Sequence, residues 1–487
     1  MQGINITYEL IQNADRRPYA TALLLNEKSI SFSELNFLVW KCAGILSEVG
    51  LRPGNPIGVQ AQSELMRAIL TLALMRIGIT VVPIARSLTV HQVQKIAQTV
   101  EMKYVVSDFS ANFNAWIEVK TIKFDQIKNQ KTPNFNIMDE EPINDCLLVP
   151  GSGSTGRPKI IPQTHQIIRD RVSIAFYEST IIENEVILSM TNLEFASGIN
   201  RLLSTVNAGG AFALLEGSYD SVAQYCATSK ITTLFSSVYH IEVLLKNELF
   251  ENLMLFKRLN AIRVSGSNVS LTLRNKIMNV MNSNLNIVYG ANECGRIAAA
   301  RPPEVFESSD TVGMPLKGVE VSIVDSDDKV VSNGSVGKIR VKTSSMIRGY
   351  VGDQEATIKN FRNGWFYTGD VGKITTDGIL QVFGRSDRMM IFNGINIYPA
   401  EIEQVIKEVT GVQDVVVLPL SHSVHQNIPI AVVSTTPGID FSQAELKRLV
   451  VEKMGFKSPK RFYFVPEIPR NSNGKLQMVD LVNMLKN

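Results

Sequence analysis

Along most of the chain, stretches whose apolar residues recur every three or four positions alternate with short apolar runs. Leu65 to Arg76 carries the first pattern and Thr80 to Pro83 the second, which predicts a helix, a turn and a short strand. Repeated alternation of this kind predicts layered α/β structure. From about Val312 the texture changes. Short β-type runs, Val319–Val324 and Val336–Val341, are separated by Gly, Asp and Asn, which predicts a small all-β unit. A last unit begins near Gly384. Pro399 is placed to open a helix whose Ile402, Val405, Ile406 and Val409 follow the i, i+3, i+4, i+7 spacing. A strand at Val415–Leu418 follows, and Ser442 with Glu445 has capping-box spacing ahead of another amphipathic helix. The polar stretch from Asp125 to Asp145 reads as a surface loop.

Size and charge narrow the picture. A chain of 487 residues exceeds one hydrophobic core, so a large domain of sub-domains plus a smaller one is expected. Lys plus Arg is 49 and Asp plus Glu is 46, and a net charge of +3 supplies no field for a nucleic-acid partner or an anionic membrane. Cys42, Cys146, Cys226 and Cys294 are far apart, with neither metal-ligand spacing nor a disulfide framework. The N-terminus lacks a basic start followed by an apolar stretch, so no secretory signal is expected. The most apolar region, Leu65 to Ile84, contains Arg67, Arg76 and Gly78 and reads as helix and strand, not as a membrane span. A cytoplasmic location is the expectation.

The most informative segment is Cys146 to His165, CLLVPGSGSTGRPKIIPQTH. An apolar strand runs into a Gly/Ser/Thr loop, and a helix with Ile168, Val172, Ala175 and Phe176 on one face follows. Small residues let backbone N–H groups approach an anion, the hydroxyls of Ser152, Ser154 and Thr155 add donors, and Lys159 adds a cation. This is chemistry suited to a polyphosphate. It is not a Walker loop, because Gly151 and Gly156 are followed by Arg157-Pro158-Lys159 rather than Lys-Ser/Thr.

Ser152 to Lys159 resembles the phosphate loop of the adenylate-forming superfamily, which includes acyl-CoA synthetases and aryl-acid and amino-acid adenylating enzymes. Further segments resemble that family's motifs in order: YGANE at Tyr289–Glu293, GWFYTGD at Gly364–Asp370, GRSD at Gly384–Asp387, GINIYPAEIE at Gly394–Glu403, and PRNSNGK at Pro469–Lys475. The resemblance implies a large N-terminal adenylation domain, residues 1–386, of two layered α/β sub-domains plus a small β-barrel. It implies a small mobile α+β C-terminal domain at 387–487. It also implies ATP and Mg2+ as cofactors, and coenzyme A or phosphopantetheine as acyl acceptor.

The implied roles follow one chemical problem: a carboxylate must attack the α-phosphate of ATP, and anion repels anion, so catalysis is positioning plus charge neutralisation. Lys475 would lie between the carboxylate and the α-phosphate. Glu293 would hold Mg2+. Ser152, Gly153, Ser154, Thr155, Gly156 and Lys159 would hold the phosphates. Gly266, Tyr289 and Gly290 would bind the nucleotide, with Tyr289 stacked on the adenine. Asp370 would accept from the ribose hydroxyls, and Arg385 would contact the ribose. Asn292 stands where the family has a Thr that contacts the α-phosphate; it retains a donor. Asp387 matches the hinge about which the C-terminal domain turns between half-reactions, and Gly394 matches a glycine of the thiol tunnel.

The acid pocket is expected in Met190–Gly198 and Phe235–His240, with Asn192, Glu194, Phe195, Gly198 and Val238 as candidate lining. Asn192 suits a ring hydroxyl and Glu194 a substrate ammonium. Glu194 also makes sense if it faces solvent or pairs with a protein cation, so aryl, fatty, amino and hydroxy acids stay open. The reading is an ATP-dependent acid–thiol ligase acting on a small carboxylic acid. A separate acyl or peptidyl carrier protein is a possible partner, because the chain ends soon after Lys475. The alternatives are a stand-alone amino-acid adenylating enzyme and a non-catalytic nucleotide-binding relative.

Overall fold

The computed structural model describes residues 5–485 except 27, 112, 114–116, 132–143, 152–158, 180–184, 217–221, 248, 249, 309, 387–389, 393, 394, 398, 423–425, 440 and 472–475. Most of the expected surface loop before Asp145 therefore lies outside the described residues, although its start forms the short helix Phe124–Asn129.

Three sheets organise the chain. The first has six strands, in the order Glu118–Thr121, Tyr104–Ser107, Ile57–Gln60, Val81–Pro83, Asp145–Gly151, Lys159–Thr164. All neighbours run parallel except the last pair, an antiparallel hairpin. The predicted helix is Glu64–Arg76, and every one of its residues is buried, including Arg67 and Arg76. A helix buried on every side, with Glu64, Arg67, Thr71 and Arg76 its polar residues, belongs between layers. The helix His165–Ser179 buries Ile168 and Ala175, as its periodicity predicts.

The second sheet has fourteen strands. One half is parallel, running Leu285–Ala291, Ala261–Ser265, Thr233–Ser237, Val186–Ser189, Ala211–Leu214. The antiparallel half contains the β-rich stretch expected after Val312, joined through Thr311–Pro315 to Gly295–Ala300. The strands from Met390 onward form a separate five-stranded sheet, so the change of sheet falls between Arg385 and Met390. There the helix Pro399–Lys407 buries Ile402 and Ile406. The hydroxyl of Ser442 accepts the N–H of Glu445 at 3.2 Å and caps the helix Gln443–Met454. Among the described residues no helix is long and apolar enough to cross a membrane.

Candidate nucleotide and acyl site

Three strand–turn features bring the candidate residues together. Lys159 opens the strand Lys159–Thr164, in register with Gly151 across the hairpin that encloses the phosphate loop. Val351 donates its N–H to Ile160 O at 3.0 Å, which seats Tyr350 against this hairpin. The Lys159 ammonium then lies 4.8 Å from the Tyr350 ring centroid, within cation–π range. The Tyr350 hydroxyl donates to Glu293 Oε1 at 2.8 Å and accepts from Asn360 Nδ2 at 3.3 Å. Burial, then the Glu293 charge, raises the Tyr350 phenol above its usual range, so it stays a donor. Tyr350 thus links the phosphate-loop lysine to the candidate metal carboxylate. It was not predicted as a site residue, and its setting in Arg-Gly-Tyr-Val carries no chemical signal of its own.

Glu293 and Asn292 sit in the turn between Leu285–Ala291 and Gly295–Ala300. Arg171, buried in the helix His165–Ser179, donates to Asn292 O at 2.8 Å and to Ser345 O at 3.3 and 3.4 Å. Ile347 N–H meets Glu293 O at 2.8 Å. Burial lowers the Arg171 pKa to about 10, which still leaves it charged at neutral pH. Asn292 is exposed.

Tyr289 precedes this turn, and its hydroxyl donates to Asp370 Oδ2 at 2.5 Å. Burial and the Asp370 carboxylate push this phenol well above its usual range. Asp370 pairs in register with Arg385 on the neighbouring strand. Arg385 Nη1 donates to Thr368 O at 2.8 Å and stands 3.9 Å from Asp370 Oδ1. Gly369 is required here: its φ is +79°, and a Cβ would lie 2.7 Å from Arg385 Nη2. Gly290 is in register with Arg296 across the hairpin, and Gly266 follows the C-terminal end of Ala261–Ser265.

In the acyl segment, Glu194 is 7% exposed. Its Oε1 accepts from Arg67 Nη2 at 3.1 Å, from Arg86 Nε at 2.8 Å and from Arg86 N at 3.2 Å. Of the three settings open to this carboxylate, the structure shows pairing with protein cations. Asn192 Oδ1 accepts the Glu194 N–H at 3.3 Å, and Asn192 lines a cavity of about 150 Å³ together with Arg86, Met190 and Glu216. Phe195 leads, half-buried, into the helix Ala196–Asn207. At Gly198 a Cβ would stand 2.1 Å from Asn192 O, so only glycine lets this helix pack on its own entry loop. Val238 belongs to the hydrophobic core with Leu188, Met190 and Ile241. Ser152, Gly153, Ser154, Thr155, Gly156, Asp387, Gly394 and Lys475 lie outside the described residues.

These elements order the candidates in one continuous run: Lys159, Tyr350, the Glu293 turn, Tyr289, Asp370, Arg385. Two family models match the chain. Residues 10–351 match "AMP-binding enzyme" and residues 401–475 match "AMP-binding enzyme C-terminal domain". The chain belongs to the AMP-binding enzyme family. Its class of reaction is that of an acid–thiol ligase, which activates a carboxylic acid as acyl-AMP and then transfers the acyl group to a thiol. A 2-succinylbenzoate–CoA ligase of Geobacillus sp. (strain WCH70) is 25% identical over 481 residues, 98% of this chain and 97% of that protein. A long-chain-fatty-acid–CoA ligase of Escherichia coli O157:H7 is 30% identical over 292 residues, 58% of this chain and 50% of that one. Among solved structures, ATP-bound MatB from Rhodopseudomonas palustris superposes with a TM-score of 0.89 at 23% identity, covering 100% of this chain and 99% of that one. The o-succinylbenzoate CoA synthetase of Bacillus subtilis, in complex with its acyl-adenylate, superposes with a TM-score of 0.88 at 24% identity, with 98% of both chains covered.

Proposed function

We propose that this enzyme activates its acid with ATP and Mg2+ and delivers the acyl group to coenzyme A. The observation that carries the residue assignment is the continuous run from Lys159 to Arg385, in which each charged group is held by a neighbour in a place where nucleotide chemistry needs it. Lys159 faces the β- and γ-phosphates. Asp370, whose Oδ2 is fixed by Tyr289, accepts from the ribose hydroxyls, and Arg385 stands beside it. The Tyr289 hydroxyl is engaged by Asp370, which orients the ring as a platform for adenine. Among the described residues no three His, Cys, Asp or Glu side chains converge as a metal cage. One carboxylate with its second oxygen available fits Mg2+, which takes few protein ligands and fills its shell with water and phosphate oxygens. Bound there by Glu293, Mg2+ would neutralise phosphate charge.

The acid carboxylate attacks the α-phosphorus and pyrophosphate leaves. The thiol sulfur then attacks the acyl carbonyl, AMP leaves, and the thiol proton is lost to solvent. Lys475 serves the first step. A boundary at Asp387, with residues 387–487 turning as a unit, lets Lys475 withdraw and the pantetheine arm enter past Gly394.

The test is ATP–pyrophosphate exchange across aryl, fatty, amino, hydroxy and dicarboxylic acids, followed by thioester assays with coenzyme A and with a holo-carrier protein. Exchange with at least one acid and a thioester with coenzyme A are expected. A thioester formed on the carrier alone would move the acceptor to a carrier protein. No exchange with any acid would remove the assignment.

A further inference from the structure

An ion pair joins the C-terminal unit to the acyl half of the chain. Lys407 ends the helix Pro399–Lys407, and its Nζ lies 3.1 Å from Oε1 of Glu242 on the helix Val238–Asn247. Lys407 also stands 3.7 Å from Asp414 Oδ1. Asp414 in turn accepts from Arg470 Nε at 2.6 Å and from Arg470 Nη2 at 3.1 Å. The charges therefore alternate in sign from Glu242 through Lys407 and Asp414 to Arg470.

The two ends of this network lie at informative places. The helix Val238–Asn247 follows the strand Thr233–Ser237 without a break, so Glu242 stands just beyond the Phe235–His240 segment expected at the acid. Arg470 and Leu476 bridge on either side of the segment that carries Lys475. Burial lowers the Arg470 pKa, but Asp414, then Glu403 and Glu242, outweigh it and hold the guanidinium above its usual range. The start of the Lys475 segment thus faces a carboxylate of the acyl half.

The pair also sits where a turning domain would be felt. At its first turn the helix Pro399–Lys407 rests by the strand Leu380–Arg385, where Ala400 Cβ is 3.8 Å from the place a Cβ on Gly384 would take. Lys407 is seven residues further on, about 10 Å along the axis. A swing of about 30° across that axis, pivoting at Ala400, carries Lys407 about 5 Å, beyond the reach of about 4 Å that defines an ion pair. The contact with Glu242 is therefore made in one orientation of the C-terminal domain. The contacts of Asp414 with Lys407 and Arg470 are internal to that domain and travel with it.

We propose that Glu242 is a positioning residue for the first half-reaction: its pair with Lys407 latches the C-terminal domain in the orientation that presents the Lys475 segment to the acid, and breaking the pair releases the domain toward thiol transfer. This rests on the reading of residues 387–487 as a unit that turns between half-reactions. Glu242 acts through Lys407 and takes no part in the bond-making steps. The side chains of Lys407 and Glu242 are 32% and 43% exposed, so solvent screens the pair, and its loss shifts an equilibrium by no more than about fivefold. A contact of that strength suits a latch that must open in every turnover.

The test measures the half-reactions separately, with the acid that gives the fastest exchange: single-turnover acyl-adenylate formation, and attack of coenzyme A on enzyme-bound acyl-adenylate. Glu242→Gln should lower the ratio of the first rate to the second about threefold. Glu242→Lys, which sets like charges together, should lower it further, and the thermal midpoint should hold in both because Glu242 is exposed. Added salt should lower the wild-type ratio toward that of Glu242→Gln and move the variant less. Spin labels at Glu320→Cys and Glu452→Cys, both well exposed in a protein whose four native cysteines are buried, read the orientation directly. Two label distances are expected, and Glu242→Gln should deplete the one favoured by a non-hydrolysable ATP analogue. Two distances whose balance ignores Glu242→Gln, or a rate ratio that both variants leave unchanged or raise, would overturn the latch and leave the turning domain standing. A single distance under every ligand would overturn both.

Discussion

Glu194→Gln separates a carboxylate that holds the protein together from one that reads the substrate. The glutamine keeps the volume and removes the charge. Glu194 faces Arg67, which is 1% exposed, and Arg86, whose side chain is 48% exposed. The Arg86 contact is discounted for solvent screening. The Arg67 contact is not, because a guanidinium there has no water to turn to. Breaking a buried pair typically costs roughly 3–5 kcal/mol. Glu64 remains 3.5 Å from Arg67 Nε, and the carbonyls of Val59, Ala61 and Ile84 keep their N–H donors, so the low end, about 3 kcal/mol, applies. For a chain of this size that loss lowers the thermal midpoint by about 3 °C. Wild type and variant are compared at one scan rate, since proteins this large commonly unfold irreversibly. The same preparations are assayed by ATP–pyrophosphate exchange with amino and non-amino acids, below the midpoint of the weaker protein. The expected result is a lower midpoint with exchange changed alike for every acid. A variant within 1 °C of wild type whose amino-acid exchange alone collapses would refute the argument and make Glu194 the ammonium site.

Four further outcomes can be checked. Lys475→Ala should lower acyl-adenylate formation roughly a hundred- to a thousandfold, as for a lost cation at developing phosphoryl charge; a near wild-type rate would reject the lysine's role. Asp387→Pro, which fixes φ at the implied hinge, should spare exchange and depress thioester formation, and equal loss of both would make Asp387 merely structural. Tyr350→Phe keeps the ring beneath Lys159 but frees Glu293 Oε1; kcat/KM for ATP should fall about tenfold and the Mg2+ requirement should rise, and an unchanged Mg2+ titration would dismiss the hydroxyl. His165 is buried with Nδ1 accepting Ile6 N–H at 3.1 Å, and burial lowers its pKa from 6.5 to about 4. Its stabilising contribution is full above pH 6.5 and is lost as pH falls toward 4, so wild type should lose about 2 kcal/mol more than His165→Gln between pH 7 and 5; parallel curves would count against this.

What the sequence made legible is the chemistry written in contiguous residues. The nucleotide candidates sit in short motifs, and Tyr289 lies on the strand that leads into the Glu293 turn. The helix Glu64–Arg76 and the β-rich stretch after Val312 followed from period alone. The strand Lys159–Thr164 did not, because Pro162 argues against a strand until its edge position in the six-stranded sheet is known. Tyr350 is 57 residues from its partner Glu293, Arg171 is 121 from Asn292, and Arg67 is 127 from Glu194. Pairings across such separations exist only after the layers assemble, so no local pattern announces them. The setting of Glu194 stayed open for that reason: its decisive partner, Arg67, belongs to a largely apolar helix of another layer.

The buried arginines show what can be read once the layers are in place. Arg67 spends its donors on the carbonyls of Val59, Ala61 and Ile84, and Arg171 on those of Asn292 and Ser345. Arg274 does the same for Val269, Val305, Ser308 and Thr311. In each case a five-donor fork satisfies carbonyls of irregular backbone near strand ends, where the site is built, and the cost of burying the charge is offset by the rigidity of those loops. Arg201 is different. Its guanidinium lies on the face of Phe235, and among the described residues its Nη1 has no hydrogen-bond acceptor.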